Sequence, residues 1–232
     1  GDPAGSVDVV LDATTIGLGI LDTGTLDIVE GETAASVLLR FLQERGYEPD
    51  YQGSATMNFY LRRISRGDIA YRANVPEHLW ELILRDGITT NDNYDRDSIG
   101  EFDYTQGSGW MYSIADRMTG NPSFPGVGAA DWRLSDGEVM RWQFTVWGYG
   151  ADLNADNSAW GQPSITGNSG DKTELTVMIA ELRQVYGDKL LRNNKTYFDI
   201  YRDVLCNPLA TQEELDAAVA KRSQIEEELK DA

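Results

Sequence analysis

The chain holds one histidine and one cysteine among its 232 residues, and these bound its chemistry first. His78 and Cys206 stand far apart with no pattern joining them, so a Cys–His nucleophilic pair is not expected. A Ser–His–Asp triad through His78 lacks the Gly-x-Ser-x-Gly elbow, and a zinc cage would need more soft ligands than the chain contains. Cys206 has no second cysteine with which to form an internal disulfide. Carboxylates are plentiful, yet no two are singled out as the acid and base of a glycosidase. Asn91 to Asp97 reads as a solvated acidic loop. Asp152-Leu153-Asn154-Ala155-Asp156-Asn157-Ser158 has the alternate spacing of a calcium loop, but Pro163 stands where the bidentate Glu belongs and no glycine stands sixth, so calcium is not expected. The remaining candidates are aromatic: Trp110, Tyr112, Phe124, Trp132 and Trp147. Flat apolar rings bind ligands and do not break bonds, so a non-catalytic role is expected.

Those rings must be held by sheet and loop. Val7, Val9 and Leu11 alternate at strand period, and a second strand runs from Gly24 through Leu26 and Ile28. Thr33 is a helix N-cap, followed by Val37, Leu38, Phe41 and Leu42 at helical spacing, with Gly46 as the stop. Strand, strand and helix in this order predict a β-grasp-like sheet wrapping one helix, within an α+β class. Phe59-Tyr60-Leu61 predicts a further strand, and residues 66–97 read as an insertion with a helix from near Pro76 to Gly87. Gly107-Ser108-Gly109 feeds a strand in which Trp110 and Tyr112 share a face, so both are buried or both are displayed. After the Asp136-Gly137 turn, a strand to Trp147 puts Met140, Trp142, Phe144 and Val146 on its core face. Val139, Arg141, Gln143, Thr145 and Trp147 fall on the other.

Beyond a Gly-, Asn- and Ser-rich linker at 151–170 the periodicity becomes helical. Helices are predicted over 173–186, 196–205 and 211–229, started by Asp171, Asn194 and a Thr211/Glu214 capping box. Three such apolar stripes predict a small three-helix bundle over 171–232. Residues 1–6 read as a flexible lead, which places the sheet domain at 7–150. Net charge is −18, from 38 acidic and 20 basic residues, which disfavours nucleic acid and anionic lipid as partners. No apolar run approaches a membrane span and no signal peptide is evident, so membrane insertion is not expected.

Two stretches resemble known families. Gly107-Ser108-Gly109-Trp110-Met111-Tyr112, then Gly128-Ala129-Ala130-Asp131-Trp132-Arg133-Leu134-Ser135-Asp136-Gly137-Glu138 and the closing Trp147, resemble the transcobalamin-like C-terminal domain, a bacterial extracellular family. The resemblance covers roughly residues 7–150, and the insertion at 66–97 departs from it. The stretch from Val204 through Pro208, Leu209 and Thr211 to Ala218 is similar to FIVAR modules, helical repeats of bacterial cell-wall-associated proteins. Together the resemblances imply a secreted or cell-surface bacterial protein. They also imply a corrinoid such as cobalamin as the small-molecule ligand, contacted by Trp110, Tyr112, Phe124, Trp132 and Trp147. Transcobalamin-type proteins close over cobalamin with an additional α-barrel, which this chain has too few helical residues to build. One-sided contact implies weak affinity. No cofactor is required by this reading. The alternative expectation is a structural or adhesive surface module that meets a cell-surface protein or glycan.

Overall fold

The structure is a computed structural model, and it describes residues 1–146, 170–207 and 210–231. It is a mixed α+β fold. Strand β1 (Pro3–Ala13) pairs antiparallel with β2 (Gly19–Val29), bringing Val7 opposite Leu26. Helix α1 (Ala34–Glu44) follows. The hairpin β3 (Glu48–Ser54) and β4 (Met57–Ser65) comes next, then α2 (Glu77–Arg85) and the short β5 (Ser98–Gly100). Strands β6 (Ser108–Asp116), β7 (Gly120–Ser123) and β8 (Glu138–Val146) complete the sheets. The larger sheet has the order β2-β1-β8-β6-β7, with β1 and β8 parallel and Leu11 beside Trp142. The smaller one has the order β3-β4-β5.

One face of the large sheet is covered by α1. Thr33 caps this helix by accepting a hydrogen bond from the Ser36 N–H at 3.1 Å, as its sequence position predicts. Val37, Leu38, Phe41 and Leu42 are fully buried against Val7, Val9, Leu11 and Met140. Each such side chain contributes about 1.5–3 kcal/mol relative to exposure. Arg45 ends the helix, and Gly46 follows at φ +75°, a conformation that glycine adopts without steric cost.

The opposite face is covered as well. Helices α3 (Thr173–Tyr186), α4 (Asp188–Arg192) and α5 (Lys195–Ile200) lead into a π turn at Tyr201–Leu205, followed by α6 (Gln212–Val219) and α7 (Arg222–Lys230). Leu175, Ile179, Leu182 and Leu205 form one cluster with Val10, Ile20, Ala115 and Val139 of the sheet. The predicted starts at Asn194 and Thr211 are real caps: Asn194 accepts from the Tyr197 N–H, and Thr211 with Glu214 forms the capping box. Asp171 lies one residue before the N-cap position, where its carboxylate accepts from the Thr173 N–H at 2.8 Å.

Several details differ from the reading of the sequence. β1 begins at Pro3, not Val7, because Pro3 and Gly5 pair with Val29 and Ile28 and the Ser6 N–H donates to Asp136 at 2.9 Å. The helix expected over 211–229 is two, broken between Val219 and Arg222 with no glycine or proline to mark it. An extra short helix, α4, starts after Gly187. Arg141, Gln143 and Thr145, read as the outward face of β8, are all buried, and Val139 on the same face packs on the C-terminal helices. Arg141 forms a buried ion pair with Asp12. Trp147, the calcium-spaced run from Asp152 and the expected linker, apart from Gly170, lie outside the described residues.

Candidate aromatic cleft

The paired strands β6 and β8 set the geometry of the site. Antiparallel register puts Trp110 opposite Phe144 and Tyr112 opposite Trp142. Directly opposed residues share a face and touch. The Trp110 and Phe144 rings meet edge to face at 5.5 Å, whereas Tyr112 stacks on Trp142 at 5.1 Å. Phe59 from β4 meets Trp142 edge-on at 6.2 Å, which joins the small sheet to the large one.

Above these rings the chain from Phe124 to Ala129 forms the opposite wall of an open cleft of about 410 Å³. Phe59, Tyr60 and Leu61 close one side, and Trp110, Tyr112 and Trp142 form the floor. No charged residue lines it among the described residues.

Each wall is fixed by hydrogen bonds. The Trp110 indole N–H donates to the Ile99 carbonyl at 2.9 Å, tying the floor to β5. The Tyr112 hydroxyl donates to the Val127 carbonyl at 2.6 Å and pins the loop. Burial, reinforced by Asp131, holds this phenol well above its ordinary range, so it remains a donor. Tyr60 donates to Glu101 at 2.8 Å, and burial followed by that carboxylate pushes its phenol up to about 12. The far end of the loop is anchored to α1: the Ala34 and Ala35 N–H groups donate to the carbonyls of Trp132 and Ala129. These bonds satisfy donors that a helix N-terminus otherwise leaves open. Beneath the floor, the indole N–H of Trp142 is sealed from solvent and has no acceptor among the described residues.

The structure therefore brings Trp110, Tyr112 and Phe124 together. Trp110 is buried and Tyr112 and Phe124 are half-buried, so the shared strand face is neither wholly sealed nor wholly displayed. Trp132 does not line the cleft; it is half-buried against the core, at the anchor of the loop. Nearby, burial pushes the Glu138 carboxyl up, opposed by the Ser135 N–H and the Trp132 indole. Phe59, Tyr60 and Trp142 also line the cleft, although their sequence reads only as strand and core. The run Phe59-Tyr60-Leu61 was the available signal, but nothing local says that β4 meets β6 and β8. The acidic loop at Asn91–Asp97 spends two of its three carboxylates on the backbone, with Asp95 and Asp97 accepting from the N–H groups of Asp97 and Asp68. No group of three metal-ligating side chains occurs among the described residues.

No protein-family model matches the chain, and no curated protein matches it.

Proposed function

We propose that this chain is a non-catalytic binding module of a secreted or cell-surface bacterial protein, which receives a flat apolar ligand in the aromatic cleft. The observation that carries this reading is the convergence of Trp110, Tyr112, Phe124 and Phe59 around Trp142 in a cleft with no charged lining among the described residues. An apolar cleft with a few directed polar groups is the usual form of a small-molecule site. A corrinoid, the ligand suggested by the transcobalamin-like resemblance, exceeds this cleft in size. It would enter by an apolar edge and leave the rest of its ring outside, which limits its affinity.

Calorimetric titration of the full chain with cobalamin tests the reading. Saturable binding that weakens about tenfold or more in Phe124→Ala supports it, since that ring forms one wall and its removal forfeits more than 1.4 kcal/mol of contact. No heat at millimolar ligand, or binding unchanged by the substitution, overturns the corrinoid assignment. The adhesive alternative rests on Met57 and Tyr60, which are 66% and 48% exposed beside the cleft on the β3–β4 hairpin. Among the described residues no helix is long and apolar enough to cross a membrane.

A further inference from the structure

A second cavity lies between the start of β2, the turn after β4 and helices α3 to α5, with a volume of about 650 Å³. Its walls carry Arg66, Arg72, Arg183, Arg192 and Arg202, five of the chain's 20 basic residues. Among the described residues that line it the carboxylates are Asp68 and Asp188, so the groove is locally cationic in a chain of net charge −18.

These charges are incompletely neutralised. Arg183 and Arg192 share the single carboxylate of Asp188, at 3.3 and 2.6 Å. Asp68 pairs with Arg96 at 2.5 Å. Arg202 pairs with Asp199 and Asp203. Arg66 lies over the Tyr47 ring and donates to the Arg45 carbonyl at 3.3 Å, and Arg72 lies 5.9 Å from the Tyr71 ring. Neither Arg66 nor Arg72 has a carboxylate within ion-pair distance among the described residues. The Tyr197 hydroxyl, on a groove-lining residue only 3% exposed, lies beside the Arg183 guanidinium.

A planar guanidinium presents paired N–H donors that match phosphate oxygens. At the mouth of the groove, Tyr71 and Phe198 are about half exposed; Arg96 lies 4.3 Å over the Tyr71 ring and Arg202 5.4 Å over the Phe198 ring, so a ligand ring would take the face that each guanidinium leaves. The acidic remainder of the surface repels an extended polyanion, so the anion must be small. We propose that this groove is a binding site for a small organic phosphate that carries a planar ring. The phosphate meets Arg66 and Arg72, and the ring lies on Phe198 or Tyr71. This site is separate from the aromatic cleft and does not depend on what binds there.

The test is calorimetric titration of the full chain with adenosine monophosphate, adenosine, inorganic phosphate and citrate. The monophosphate should bind at least about tenfold more tightly than each of the other three, with affinity falling as salt rises. Arg72→Ala, at an exposed position that leaves the fold intact, should weaken it about tenfold or more. Phe124→Ala, in the other site, should leave it unchanged. No binding of the monophosphate, or binding indifferent to Arg72→Ala, overturns the site. Citrate binding as tightly overturns the phosphate assignment, and inorganic phosphate or adenosine binding as tightly overturns the need for both parts.

Discussion

Asp12 and Arg141 show how much rests on single side chains on the buried side of the sheet. Both are about 3% exposed, and Asp12 also accepts from the Thr14 N–H at 2.7 Å. Taking two charges out of water is costly, and their mutual attraction offsets this only while both are present. Asp12→Ala should therefore cost about 3–5 kcal/mol in chemical denaturation, because it leaves the guanidinium buried without this counter-ion. A change within about 0.5 kcal/mol would mean that the pair adds nothing to the stability of the sheet. Asp8 uses the same solution four residues earlier in β1, accepting from Arg117 at 2.9 Å and from Thr25. The two acids explain why β1 can carry carboxylates while it is covered on both faces.

Among the elements, α5 and α7 are joined by one carboxylate. Glu228 accepts from the Thr196 hydroxyl at 2.9 Å, the Gln224 amide at 3.0 Å and the Asn194 amide at 2.9 Å. These bonds hold its carboxyl below the ordinary glutamate range, led by Thr196. A depressed acid stabilises the fold above its unfolded value, and that contribution is lost as pH falls through the folded one. Melting temperature should thus be higher in the native chain than in Glu228→Gln at neutral pH. The gap should close as pH drops below the usual glutamate titration. A gap independent of pH would assign the effect to something other than this charge.

Over the whole molecule, the sheet is a shared wall. Val10, Ile20, Ala115 and Val139 pack on the C-terminal helices, while Val7, Val9 and Leu11 pack on α1. Tyr201 seals the seam by donating to the Ile20 carbonyl at 2.6 Å. At the same seam, a Cβ on Gly19 would fall 2.6 Å from the Cys206 sulfur. Two layers on one sheet should unfold together. Denaturation followed by tryptophan emission, whose described sources all lie between Trp80 and Trp142, should coincide with loss of helical dichroism. Two separated midpoints would show that the helices form a unit of their own.

Local periodicity was sufficient for β1, α1, β8 and α3, since alternation and helical spacing are written in neighbouring residues. The caps at Thr33, Asn194 and Thr211 were legible for the same reason: a cap bonds to a backbone N–H only two or three residues away. Trp110, Tyr112 and Phe124 could be singled out as aromatic, but whether they were core or cleft depended on where β4 and the 124–129 loop came to rest. Likewise, Arg66 and Arg72 stand more than a hundred residues from Arg183, and only the packing of α3 beside the turn after β4 places their charges around one groove. The main strands, α1, α3 and the three caps follow from contacts between near neighbours along the chain, whereas the start of β1 at Pro3, the break after Val219 and the extra helix α4 carry no such local mark. The tertiary structure decided that both faces of the sheet are covered, and which side chains share a cavity. Those outcomes depend on long-range packing that no local pattern encodes.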